Sequence, residues 1–178
     1  GSNYERGTMD ISLSPNFLDK HLTLDLSARG VYVHSDYAEG GVVGKAAFYN
    51  PTRDPYFRNE DGSIDFTTNN GYWGPGAGRG KGFTPNKLVG EGPLSLLYDK
   101  WSYANTARFV GKAAVDYKVH GFEALRFNVS VGLDVSESKS KNGVNPGSFQ
   151  AYTDTEAMGV GKYSAGYNKN LNEVLEAY

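Results

Sequence analysis

The chain has 178 residues, no cysteine, 23 glycines and a formal net charge of −2, a length suited to one domain. The balanced charge argues against a nucleic-acid binder, and the missing cysteine excludes a disulfide scaffold, a zinc–thiolate site and a cysteine nucleophile. No apolar run nears the ~18 residues of a spanning helix, which leaves a membrane β-barrel open because its signal is alternation.

Gly1-Ser2 reads as a cloning remnant, and Leu171 to Tyr178 stops in mid-pattern without a turn residue. The sequence is therefore expected to be a piece of a longer protein, a mature secreted domain being the alternative. Met9, Ile11 and Leu13 alternate with Asp10, Ser12 and Ser14. After a tight turn near Leu18 to His21, Leu22, Leu24, Leu26 and Ala28 are opposed by Thr23, Asp25, Ser27 and Arg29. Period-2 alternation of this kind predicts a hairpin over about 9–33.

Residues 36–106 lack a sustained period and are rich in Gly, Pro, Asn and aromatics. So long a connection exceeds the ~12–15 residues usual inside a compact domain, so it is either a functional loop or a segment whose elements the pattern misreads. Within it, Leu94, Leu97, Tyr98 and Trp101 predict one or two helical turns over Pro93 to Ala104. A second hairpin over about 108–137 is the cleanest signal. Phe109, Gly111, Ala113, Val115, Tyr117 and Val119 oppose Lys112, Asp116 and Lys118; Leu125, Phe127, Val129, Val131, Leu133 and Val135 oppose Arg126, Asn128, Ser130 and Asp134. The eleven residues from Leu125 to Val135 extend roughly 35 Å and, tilted by ~45°, match a membrane band about 25 Å tall. A loop over about 140–161 and a partial strand over 162–178 complete the reading.

The connections thus run short, long, short, long, as in barrels with short turns on one side and long loops on the other. A soluble sheet with one wet face also alternates. Charges of both signs on one face (Asp25, Arg29, Lys112, Asp116, Arg126, Asp134) suit a water-filled lumen as well as open solvent. Tyr32, Tyr37, Tyr103, Tyr117 and Phe122 lie near strand ends, where an interfacial aromatic girdle is expected.

Catalytic and ligand motifs find no support. The run Gly74-Pro75-Gly76-Ala77-Gly78-Arg79-Gly80-Lys81-Gly82 lacks the glycine and Ser/Thr that a phosphate loop needs, so it reads as a mobile loop. His21, His34 and His120 are not at metal-ligand spacing, and Asn59-Glu60-Asp61-Gly62 is a turn rather than a calcium loop. No enzyme, metal or cofactor is expected. The loop aromatics Tyr56, Phe57, Tyr72, Trp73, Trp101 and Tyr103 are candidates to contact a substrate or a partner, Trp73 by stacking on a sugar ring. The alternative is that most of them form the loop's own small core.

Several stretches resemble the SusC/RagA-type TonB-linked outer-membrane transporters. These are Met9-Asp10-Ile11-Ser12-Leu13-Ser14-Pro15-Asn16-Phe17, then Asn50-Pro51-Thr52-Arg53-Asp54-Pro55-Tyr56, and Asp61-Gly62. Asn105-Thr106-Ala107-Arg108-Phe109 and Val131-Gly132-Leu133-Asp134-Val135-Ser136 continue the likeness in order. The resemblance implies an all-β antiparallel meander, a segment of a 22-stranded transmembrane barrel holding a plug. It implies an importer of oligosaccharides or peptides in the Gram-negative outer membrane, working with a SusD-like surface lipoprotein, and with TonB through an N-terminal part. Leu22, Leu24, Leu26, Val115, Phe127, Val129, Val131 and Leu133 would then face outer-membrane lipid, and the charged positions the lumen. A soluble glycan-binding β-module is the alternative; a complete eight-stranded barrel has too few strands.

Overall fold

The computed structural model describes residues 2–86, 88–122, 124–153 and 159–178. Gly1, Lys87 and Glu123, and residues 154–158 of the second predicted long loop, lie outside the described residues. The elements in chain order are β1 (Asn3–Leu13), β2 (Asn16–Phe17), β3 (Leu22–Asp36), α1 (Gly41–Ala47), β4 (Gly76–Ala77), β5 (Thr84–Pro85), α2 (Pro93–Tyr98), β6 (Lys100–Lys118), β7 (Arg126–Val144), α3 (Phe149–Thr153) and β8 (Lys162–Ala177). The long strands are ordered β1-β3-β6-β7-β8 in one mainly antiparallel sheet, with β2 paired to β3. Each long strand lies beside the next one in sequence, so the chain is an all-β meander, as expected.

The strands outrun the predicted hairpins, β7 because its far end is polar on both faces, where hydropathy cannot alternate. β7 continues through Ser136 to Val144, and the Thr106 and Ser138 hydroxyls lie 3.2 Å apart on β6 and β7. The predicted helix stops at Tyr98 instead of Ala104. Beyond it the backbone pairs as sheet, with the Tyr37 N–H donating to the Ser102 carbonyl at 2.8 Å.

The chain divides into two compact units. The strand unit comprises residues 4–35, 104–140 and 166–178. Its edge strands β1 and β8 are exposed along their whole length, leaving backbone donors and acceptors open to further strands. Its first short turn places Leu18, Asp19 and Lys20 at positive φ, a conformation that costs non-glycine residues and that the turn's geometry imposes. Little is buried here beyond Ala114, Ser35 and Ser130.

The loop unit, residues 36–103 and 141–165 with the strand start near Asn3, has its own core of Phe83, Leu96, Phe149 and Ala151. Pro93 opens α2 at a position where its missing N–H costs nothing, and α1 packs on α2. The glycine run is folded, contrary to the mobile loop expected of it. Gly76 pairs with Pro85 and Ala77 with Thr84, and a Cβ at Gly76 would come within 2.5 Å of the Thr84 carbonyl oxygen. The glycines let two backbones approach, which composition alone reads as freedom.

Candidate functional site

The loop unit gathers its aromatics into separate groups. Tyr56 and Tyr72 form a bridge between short extended segments, which sets their rings 6.1 Å apart. Tyr72 in turn stacks on Tyr98 at 5.6 Å and 19°. Tyr98 ends α2 and is exposed, so the three tyrosines form a shelf with one open end. Phe57 meets Phe83 edge-on at 5.5 Å, and Phe83 meets Tyr152 at 6.0 Å. Trp73 has Tyr49 at its edge, 5.7 Å away, and the Arg53 guanidinium 4.6 Å from its ring centre.

Two carboxylates hold these groups in place. Asp65 accepts hydrogen bonds from the Thr67 N–H at 3.0 Å and the Thr68 hydroxyl at 2.6 Å, with Arg79 3.5 Å away. The Arg79 side chain also donates to the Arg58 carbonyl at 2.9 Å and lies over Phe57. The Thr67 and Thr68 hydroxyl donors pull the Asp65 pKa down to about 2. Asp99 is 3% exposed and accepts from Asn70 at 2.8 Å and Ser95 at 2.9 Å. Burial outweighs those donors and raises its pKa above the usual carboxylate value. Asn70 also donates to the Pro146 carbonyl at 3.0 Å, tying α2's end to the segment after β7. Neither carboxylate stood out in the sequence, because their partners are short polar residues with no periodic signature.

Trp101 and Tyr103 form a third group, stacked at 5.8 Å, with Tyr163 of β8 6.0 Å from Trp101. Trp101 and Tyr163 border a groove of about 650 Å³ lined also by Tyr37, Lys100, Gly143 and Lys162. Glu39 and Lys100 pair across its wall at 3.2 Å. The six candidate aromatics therefore do not converge on one site. Tyr163 and Tyr98 extend two of the groups, and both were visible only as apolar positions of a strand and a helix.

In the strand unit, Ile11, Leu13, Leu26, Phe109, Val131 and Leu133 line one shallow apolar hollow across four strands. Val115, Phe127 and Val129 share its register along β6 and β7 and are exposed; Leu22 and Leu24 share it on β3 and are half-buried. The alternate positions carry paired charges. Arg29 pairs with Asp10, Arg108 holds Asp134 through two bonds of 3.0 and 2.7 Å, and Asn128 lies 3.5 Å from Asp116. Asp25, Lys112 and Arg126 are exposed. At the short turns His21 and His120 stack at 3.8 Å, and His34 meets Asn105 at 2.6 Å. Among the described residues no cluster of three or more His, Asp or Glu could hold a metal, and no helix is long and apolar enough to cross a membrane.

An open-edged antiparallel wall, apolar on one face and ion-paired on the other, with a separately packed loop unit, defines an all-β segment with two unlike faces. No family model matches the sequence, and no solved structure matches it. It is 35% identical over 156 residues to the TonB-dependent receptor SusC of Bacteroides thetaiotaomicron, an alignment that takes in 83% of this chain. The chain belongs to the SusC-type family of TonB-dependent receptors. It spans 15% of that relative's length.

Proposed function

We propose that this segment is wall and outer-surface loop of a TonB-dependent importer in a Gram-negative outer membrane. The substrates are oligosaccharides or peptides, and a SusD-like surface lipoprotein serves as lid. The segment catalyses nothing and transports nothing alone. Its edges β1 and β8 continue into the rest of the barrel, which holds the plug, and TonB acts through an N-terminal part.

The observation that carries this reading is the exposed aliphatic face of a chain in the SusC-type family, where aliphatic side chains crowd an unburied sheet surface. Contiguous exposed apolar surface marks an interaction face, and in a strand meander its natural partner is hydrocarbon. Leu26, Val115, Phe127, Val129 and Val131 meet lipid, as do Leu22, Leu24 and Leu133. The ion-paired register, with Arg29 and Asp134, faces the lumen. Of the loop aromatics, Tyr56, Tyr72 and Tyr98 offer substrate or lid a stacking surface, and Phe57 and Trp73 support it.

In the parent receptor, replacing Tyr56 and Tyr98 together by alanine is expected to lower uptake of the cognate substrate roughly tenfold, the worth of two lost ring contacts. Uptake should be measured beside outer-membrane fractionation. Normal uptake by the double variant would remove the shelf from the path, whereas a receptor absent from the outer-membrane fraction would end the barrel reading itself.

A further inference from the structure

We infer that Asp99 is a positioning residue that locks the tyrosine shelf of the first long loop to residues 145–147 of the second; the inference rests on the reading of that shelf as a contact surface. Asp99 stands between Tyr98, the exposed end of the shelf, and the start of β6. Its side chain accepts from Asn70 at 2.8 Å and from Ser95 at 2.9 Å. Its backbone carbonyl accepts from the Asn145 N–H at 2.8 Å. One buried residue thus joins three segments of the loop unit.

The shelf depends on all three. Asn70 lies two residues before Tyr72, whose ring stacks on Tyr98 at 5.6 Å, so the Asn70–Asp99 bond ties together the two segments that carry the stack. Asn69 and Asn70 have φ of 48° and 52°, and Gly71 follows at 87°. Two successive asparagines at positive φ are disfavoured, and such a backbone persists where its surroundings hold it. Both loops do the holding. The Asn70 amide group donates to Asp99 and also to the Pro146 carbonyl, 3.0 Å away, and a Cβ at Gly147 would stand 2.9 Å from its Oδ1. From the same turn, the Asn145 side chain donates to the Tyr98 carbonyl at 3.2 Å.

A carboxylate here does nothing for the helix. At the C-terminal end of α2 it meets the negative end of the helix dipole, and burial adds to the cost. The donors that offset this cost come from α2 and from the Asn70 turn, so the carboxylate serves the joint. Without it, the Tyr72 segment would be free to turn away from Tyr98. Asp99 acts on a bound molecule only through those rings.

The test is hydrogen exchange of the parent receptor, read at the Gly71, Tyr72 and Asp99 amides, each of them bonded within the shelf's own segments. Asn70→Gly keeps the left-handed backbone and removes only the side chain's bonds. It is expected to speed exchange at these amides about fivefold, the effect of one lost hydrogen bond. Asn145→Ala, a change in the other loop, should speed exchange at Asp99. Asn70→Asp should loosen the shelf further at neutral pH by setting two carboxylates against each other. Adding Asp99→Asn to it restores the bond with donor and acceptor exchanged, and should recover most of that loss. Exchange over residues 83–85 and 149–152 should stay unchanged in every variant. Acceleration there equal to that at the shelf would make Asp99 a general support of the core and overturn the inference, as would a paired variant no slower than Asn70→Asp. Unchanged exchange in Asn70→Gly, with uptake impaired in the Tyr56 and Tyr98 alanine variant, defeats this inference and leaves the shelf reading standing. Normal uptake in that alanine variant defeats the shelf reading and this inference with it.

Discussion

The two units solve opposite problems with the same residue types. The loop unit turns Phe83 and Phe149 inward, to 3% and 1% exposure, and also buries the carboxylates Asp65 and Asp99. The strand unit keeps Phe127 and Val131 outside, at 54% and 49%, and holds its ion pairs on the opposite register of an open sheet. A unit with its own core is stabilised by its own burial; a unit without one depends on what covers it. The difference teaches that the apolar residues of this chain are used in two ways, and that among the described residues the conventional core lies in the loop unit.

The largest expected effect tests that core. Phe149→Ala should destabilise the loop unit by about 3–5 kcal/mol through lost burial and a cavity. Hydrogen exchange by mass spectrometry should show it as faster exchange over residues 56–99. Val131→Ala, at an exposed strand position, should cost less than about 0.5 kcal/mol in water. Equal losses at the two positions would erase the contrast between the units.

Next in size are the carboxylates. The Asp65 pKa is held down to about 2 by its hydroxyl donors, against ~3.9 in an unfolded chain. Its stabilisation is therefore complete above the unfolded value and lost as pH falls from about 4 to about 2. Asp99 is shifted the other way by burial. Its contribution is present below the unfolded value and fades as pH rises through the raised one. At neutral pH Asp65→Asn should cost about 2 kcal/mol, and Asp99→Asn less, because it also removes a disfavoured buried charge. Stability of the two variants from pH 2 to 7 checks both signs. An Asp99→Asn loss that exceeds the Asp65→Asn loss would reverse the assignment.

The legibility of the sequence follows the same division. β3, β6 and β7 showed themselves because one face is apolar and the period is two. Their extensions through Asn105 and Ser138 did not, since both faces there are polar. The family was legible from ordered motifs such as Asn50-Pro51-Thr52. The loop unit was not, because its contacts join distant residues: Asn70 reaches Pro146, and Gln150 donates to Glu91 at 2.7 Å. Nothing local in Asp99 announces burial, and nothing in Gly147 announces the Asn70 side chain beside it. Period names a residue's face; it does not name a neighbour 59 or 76 positions away along the chain.

The smallest effect is expected at Arg108→Gln. Arg108 and Asp134 make two good bonds, but their side chains are 55% and 30% exposed. Water and salt screen such a pair, and fixing two flexible side chains offsets most of its attraction. In the 178-residue chain the substitution should therefore change thermal stability less than any variant above, and raising salt should shrink even that change. In the assembled parent, where the proposed plug would cover this register, the pair loses its water, and removing one partner strands a charge away from solvent. Thermal scans of both forms, with and without the substitution, separate the cases. A loss in the parent that far exceeds the loss in the chain is the result expected of a lumen-facing pair, and equal small losses would return this face to open solvent.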